Sequence, residues 1–315
     1  MSIAKKTRFF APVLTAMAAA FMLSACSDSA EKQSTEMMVE KENTLALVVS
    51  TLNNPFFVDL KEGAEQKAQE LGYQLVVLDS QNDSAREMTN IEDLTVQGVQ
   101  LILLNPADSD AAGNSVLIAN EAGIPVVTLD RGANGGQIAS HVASNNVAGG
   151  AMAAELIIDL LNNEGQVIQL EGVPGTSAAR ERGVGFETAL EGSNIEIVAS
   201  QPADFDRTKA LNVTENLLQA NPDVKAIFAQ NDEMALGAIK AVDAAQKDII
   251  VVGFDGTAEG INAVQTGEMT ATVAQQAAAV GAMGVEVADQ VLKGMEVEEF
   301  TPVELQLIQI ETVQP

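Results

Sequence analysis

From Thr44 onward the chain alternates between short apolar runs and longer stretches with apolar residues every three or four positions. The runs Leu45–Ser50, Gln74–Asp79, Val99–Leu104, Pro125–Asp130 and Ile138–Val142 are rich in Val, Ile and Leu and nearly unbroken, as strands covered on both faces should be. Helical periodicity lies between them, near 56–71, 84–97 and 109–122. A β-α-β-α-β-α-β order predicts a parallel, doubly wound sheet. The order then recurs. Strand-like runs fall at Val167–Leu170, Ile195–Ser200, Ala226–Ala229, Ile249–Phe254 and Thr270–Ala274, with helical patterns near 146–162, 176–191, 207–219, 232–245 and 257–266. A helix near 277–293 and an extended run, Val303–Ile310, close the chain. The prediction is α/β, with two similar doubly wound lobes.

The strand ends carry the chemistry. Strand one runs into Asn54-Pro-Phe-Phe57, strand three into Asn105-Pro-Ala-Asp, and strand four into Asp130-Arg131. In the second half the corresponding ends hold Arg182, Phe205, Asn231, Phe254-Asp255 and Gln275. Ligands of open α/β sheets bind at the carboxyl ends of the strands, so two facing lobes would make a cleft there. Amides and charged groups beside phenyl rings suit a ligand with hydroxyls on its edge and C–H groups on its faces, which describes a sugar. Carboxylates at Asp130 and Asp255 only accept hydrogen bonds, and guanidiniums at Arg131 and Arg182 only donate. Bland readings stand beside these. Asn231 and Asp255 each precede a helix and could be N-caps. Asn105 could order its own turn before Pro106. Either Phe56 or Phe57 could plug the core.

Composition narrows the classes. The chain has 315 residues, which suits two domains rather than one, and 47% hydrophobic content supplies their cores. A net charge of −27 repels phosphate backbones and argues against nucleic acid as a partner. One Cys and one His exclude an internal disulfide and a Cys/His zinc site. His141 sits inside a strand pattern and reads as structural. Gly172-Val-Pro-Gly-Thr-Ser177 lacks the Gly-Lys-Ser/Thr of a P-loop, and no nucleophile–base pair stands out. No catalytic residue, metal or cofactor is expected.

The first 25 residues join a basic start, an apolar run and small residues, the plan of a secretory signal peptide. Leu23-Ser-Ala-Cys26 resembles a bacterial lipobox, which makes Cys26 the expected lipidation site. Residues 26–43 are polar and read as a flexible tether.

Leu45-Ala-Leu-Val-Val-Ser-Thr-Leu-Asn-Asn-Pro-Phe-Phe57, Asn105-Pro-Ala-Asp-Ser-Asp110, Thr128-Leu-Asp-Arg131, Gly175-Thr-Ser-Ala-Ala-Arg-Glu-Arg182, Gln201-Pro-Ala-Asp-Phe-Asp-Arg207, Ala229-Gln-Asn-Asp-Glu-Met234 and Val252-Gly-Phe-Asp-Gly256 occur in one order. Together they resemble the periplasmic sugar-binding proteins that serve ABC importers, in the ribose-binding branch. The resemblance implies a type I periplasmic-binding-protein clamp with three crossings, near Ser144-Asn145, Gln275-Gln276 and 303–305. It divides the chain into a first lobe of 44–144 plus 276–304 and a second of 145–275 plus 305–315. It implies D-ribose as ligand, held by Asn54, Asp130, Arg131, Arg182, Asn231, Asp255 and Gln275, with Phe56, Phe57, Phe205 and Phe254 on the ring faces. Ser50, Asn105 and Ser144 would support these from behind. The implied setting is a monomer in the periplasm, handing sugar to a membrane permease and read by a chemoreceptor. One departure is Ala277-Ala278 after the two glutamines, where the ribose family usually has a Pro. Other readings are a receptor for another pentose, a hexose or a furanose, a repressor-like regulator, and a sugar-modifying enzyme. The regulator would need a basic helix-turn-helix where the chain has a signal and a tether.

Overall fold

A computed structural model describes residues 43–310. The N-terminal signal, Cys26 and nearly all of the tether lie outside the described residues. The elements follow the alternating pattern: β1 (Thr44–Val49), α1 (Pro55–Leu71), β2 (Gln74–Asp79), α2 (Ser84–Gln97), β3 (Leu101–Leu104), α3 (Ala112–Glu121), β4 (Val126–Leu129) and β5 (Ser140–Ser144). Then come α4 (Asn146–Leu160), β6 (Gly165–Glu171), α5 (Ser177–Leu190), β7 (Ile195–Pro202), α6 (Arg207–Ala220), β8 (Ala226–Ala229), α7 (Asp232–Ala244), β9 (Ile250–Asp255), α8 (Ala258–Thr266), β10 (Ala271–Ala274), α9 (Ala277–Leu292), β11 (Phe300–Val303) and β12 (Gln306–Gln309).

Two six-stranded sheets have the same plan. The first runs β11-β5-β4-β3-β1-β2 and the second β12-β10-β9-β8-β6-β7. Pairing is parallel throughout, apart from antiparallel β10 and β12. Successive residues of β1 face opposite cores, as the two-residue period requires. Leu45, Leu47 and Val49 pack under α1 and α9, while Ala46 and Val48 pack under α2 and α3. The second lobe repeats this, with Ile168 and Leu170 toward α6 and α7 and Val167 toward α4 and α5. In each sheet the strand order reverses beside the first strand of the lobe, between β1 and β3 and between β6 and β8. That is the switch point where such folds bind ligands.

The chain passes between the sheets three times, from β5 into α4, from β10 into α9, and from β11 to β12. The closing run 303–310 is therefore not one strand. β11 belongs to the first sheet and β12 to the second. Helix α3 starts at Ala112 rather than near 109, because Asp108 Oδ1 accepts from the amides of Asp110 and Ala111 and closes a turn ahead of it. Among the described residues no helix is long and apolar enough to cross a membrane.

Candidate functional site

Asn54 is placed by the start of α1. Its Oδ1 accepts from the Phe56 amide at 2.9 Å, and Pro55 fills the first helical position, where no amide hydrogen is needed. The same turn sets Phe56 and Phe57 edge to face, 5.3 Å between centroids. Both are buried, and both pack into the core between α1 and β1. The core-plug reading therefore holds for both rings.

Asp130 follows β4 directly with φ 60°, the left-handed region, which aspartate tolerates better than most residues. Asn105 is what fixes it. Its Oδ1 accepts from the amide and hydroxyl of Ser50, and its Nδ2 donates to Leu129 O and, at 3.4 Å, to Asp130 Oδ2. Asn105 therefore bridges three strand ends instead of ordering its own turn. Arg131 Nη1 donates to Pro106 O, and its guanidinium lies 5.0 Å from the Phe57 centroid and 5.3 Å from that of Phe205.

In the second lobe Arg182 is held by Asn146 Oδ1 on its Nε and by Gln230 O on its Nη1. Phe254 is fully buried behind it, with its ring 3.9 Å from the guanidinium carbon. Asn231 caps α7 through Oδ1 to the Met234 amide. Gln275, in the second crossing, donates to Asp255 Oδ1 at 3.0 Å.

These groups close tightly around a small chamber lined by Asn54, Phe56, Phe57, Asp130 and Arg131 from one lobe and by Ala178, Arg182, Phe205, Asn231 and Asp255 from the other. Phe254 and Gln275 stand one layer back, touching Arg182 and Asp255. Ser50 and Asn105 support Asp130, and Ser144 is buried at the first crossing. Four of the site's buried polar atoms have no hydrogen-bond partner among the described residues: Asp130 Oδ1, Arg131 Nε, Asn231 Nδ2 and Gln275 Oε1. Two accept and two donate, as a polyol requires.

The lobes are shut against each other. Ser177 N donates to Ser109 Oγ at 3.0 Å, Ser109 N to Gly175 O at 3.1 Å, and Gly132 N to Ser177 Oγ at 2.9 Å. Closure desolvates the charges. Burial, reinforced by Asp232 and Asp130, pushes the Asp255 carboxyl up to about 8 against the pull of Arg182. Burial likewise lowers Arg131, opposed chiefly by Asp130.

Three further residues are not singled out by the sequence reading, although Ala178 and Asp232 fall inside its motif segments. Ala178 lines the chamber as one small residue in a helix. Glu87 is fully buried at the start of α2, accepting from Ala107 N at 2.7 Å and Ser115 Oγ at 3.2 Å. Asp232 is fully buried beside Asn231. His141 does what a strand histidine does, meeting Thr128 Oγ1 through Nδ1 at 2.9 Å.

Residues 45–296 match the model of a periplasmic binding protein domain. The chain is 58% identical over 296 residues to the ribose import binding protein of Haemophilus influenzae, covering 94% of this chain and 98% of that one. It is 47% identical over 289 residues to the ribose import binding protein of Bacillus subtilis, covering 91% and 94%. Among solved structures, a solute-binding protein of an ABC transporter from Bacillus halodurans, with bound myo-inositol, superposes with a TM-score of 0.82 at 32% identity, covering 87% of this chain and 97% of that one.

Proposed function

The chain belongs to the periplasmic binding protein family, and from that premise we propose that it is a sugar receptor that closes on D-ribose and delivers it to an ABC permease. It is a binding protein and not an enzyme, as its family and relatives are. The observation that carries the sugar reading is that Asp130 Oδ1, Arg131 Nε and Asn231 Nδ2, buried and without a hydrogen-bond partner among the described residues, belong to side chains lining one chamber with Phe56, Phe57 and Phe205. Asp130 accepts from sugar hydroxyls, Asp255 exchanges hydrogen bonds with them, and Arg131, Arg182 and the Asn231 amide donate to them. Charge-assisted bonds of this kind are roughly twice as strong as neutral ones. Phe57 and Phe205 cover the ring faces. Ribose is chosen because the relatives of nearly full coverage are ribose import proteins.

Closure is a population shift driven by contacts made only when both lobes are engaged. The three crossings act as the hinge, and the shut form presents both lobe edges to the permease. Ten heavy atoms at up to about −1.5 kcal/mol each leave ample room for the roughly −8 kcal/mol of micromolar binding, after the ordering of both lobes is offset. The protein works as a monomer outside the cytoplasmic membrane, anchored by a lipid on Cys26.

A second reading, another cyclic polyol, draws on the myo-inositol bound in the Bacillus halodurans protein. A thermal-shift screen of D-ribose, D-allose, L-arabinose and myo-inositol separates the two. The largest rise with ribose supports the first reading, and a larger rise with another sugar replaces it. Mass spectrometry of the mature chain tests the anchor, since an unmodified Cys26 would rule it out.

A further inference from the structure

Asp232 is fully buried, follows Asn231 directly, and is not among the residues that line the chamber. Its hydrogen bonds all run to segments that supply the second lobe's polar contacts. Oδ2 accepts from the Thr257 amide at 2.7 Å and from the Thr257 hydroxyl at 3.0 Å. Oδ1 accepts from Thr272 Oγ1 at 2.7 Å. The Thr272 oxygen in turn receives the Gly256 amide at 3.3 Å, and Thr257 Oγ1 caps α8 by accepting from Gly260 N at 3.1 Å.

Three segments therefore meet on one carboxylate. The first is the start of α7, which carries Asn231. The second is the 255–257 turn, which carries Asp255 in a left-handed backbone at φ 111°. The third is β10, which leads to Gln275 three residues beyond Thr272. The space is shaped for the carboxylate. A Cβ on Gly253 would sit 2.5 Å from Asp232 Oδ1, and one on Gly260 would sit 2.1 Å from Oδ2. Residues with side chains at those positions would push the group off its partners.

We propose that Asp232 is the positioning residue of the second lobe's half of the site, fixing Asp255, and through β10 Gln275, in the geometry that meets the sugar while making no sugar contact itself. This rests on the sugar-receptor reading above. A strained aspartate backbone needs surroundings that over-determine it, and Asp232 supplies them by holding Gly256 and Thr257 from the far side. The first lobe has its own counterpart in Asn105, so Asp232 is expected to act on one half of the site only.

A double-mutant cycle distinguishes positioning from general support of the fold. The mature chain and the variants Asp232→Asn, Asp255→Asn, Asn54→Ala and the two double variants with Asp232→Asn are titrated calorimetrically with D-ribose and with D-allose. Asp232→Asn alone is expected to weaken binding by at least about tenfold, the usual scale for losing a hydrogen-bonded buried charge. In the Asp255→Asn background that loss should shrink clearly, to the share carried through β10 and Gln275, since the first residue it positions is already altered. In the Asn54→Ala background it should persist in full. Equal losses in both backgrounds, or none in the single variant, overturn the proposal. If Asp232→Asn does not fold, Thr272→Val takes its place in the cycle, removing at similar volume one donor to the carboxylate and the acceptor that links it to the Gly256 amide, with the same pattern expected. Parent protein that binds neither sugar overturns both this role and the receptor reading, whereas normal parent binding with additive losses overturns the positioning role alone.

Discussion

Arg182 of the second lobe reaches Asp130 of the first, with Nη2 lying 3.9 Å from Oδ1 across the closed cleft. The same guanidinium places Nη1 3.4 Å from Asp255 Oδ1, so one cation serves a carboxylate on each side. All three groups are buried. Removing one partner of such a set leaves the others uncompensated, which costs about 3–5 kcal/mol. Arg182→Met is therefore expected to weaken ribose binding by at least about a hundredfold. Calorimetry checks this, and loss of less than about threefold would contradict the role.

Phe57 combines a wall of the chamber with a place in the core under α1. Phe57→Ala should lower both affinity and melting temperature. Truncating a buried Phe typically costs about 3–5 kcal/mol of stability, so the variant is expected to melt well below the parent even without sugar. Differential scanning calorimetry in the absence and presence of ribose separates the two losses.

The Asp255 carboxyl, pushed up to about 8, gives the sugar-free closed protein a pH dependence. The groups facing it are Arg182, Gln275, Asp232 and Asp130. Asp232, raised to about 6 by burial, has the same sign. Between the ordinary carboxylate value and these raised ones the folded chain holds protons that the unfolded chain has released, so stability falls as pH rises. This contribution is complete below about pH 4 and is lost as pH climbs toward about 8. Melting curves of Asp255→Asn across that range should show a shallower decline than the parent. Parallel curves would contradict the assignment.

The lobes meet at Gly175 and Ser109 as well as at the sugar groups. Gly175 has φ +94°, and a Cβ there would lie 2.1 Å from Asp108 Oδ2 of the opposite lobe. Gly175→Ala is expected to obstruct closure and to weaken ribose binding by about tenfold or more. Ser109→Ala, which removes only the acceptor for Ser177 N, should act more mildly, raising the dissociation rate a few-fold. Stopped-flow competition measures both.

The turn at Asn54 was legible because an apolar run flows into Pro at a helix start, a local signal that fixes both the cap and the two rings. The two-lobe plan was legible for the same reason, since each strand and helix declares its own period. Asp232 and Glu87 were not legible. Each looks like an acid in the first turn of a helix, where a carboxylate normally faces water and favours the dipole. Their burial is decided by partners remote in sequence, Ala107 and Ser115 for one and Thr257 and Thr272 for the other. Phe254 illustrates the same limit: its sequence pattern puts it at a strand end, and only packing shows it lying under Arg182. The split of the closing run into β11 and β12 is not marked by the local pattern, which reads as one extended run; only the family resemblance, with its crossing near 303–305, pointed to it.

The central claim is that the two lobes close together on ribose. Small-angle scattering of the mature chain, recorded during a calorimetric titration series with D-ribose, tests it directly. The account predicts saturation at one sugar per chain with micromolar or tighter affinity, a contraction of the particle on the same titration curve, and ribose recovered unchanged. Absence of both heat and contraction at millimolar ribose would contradict it.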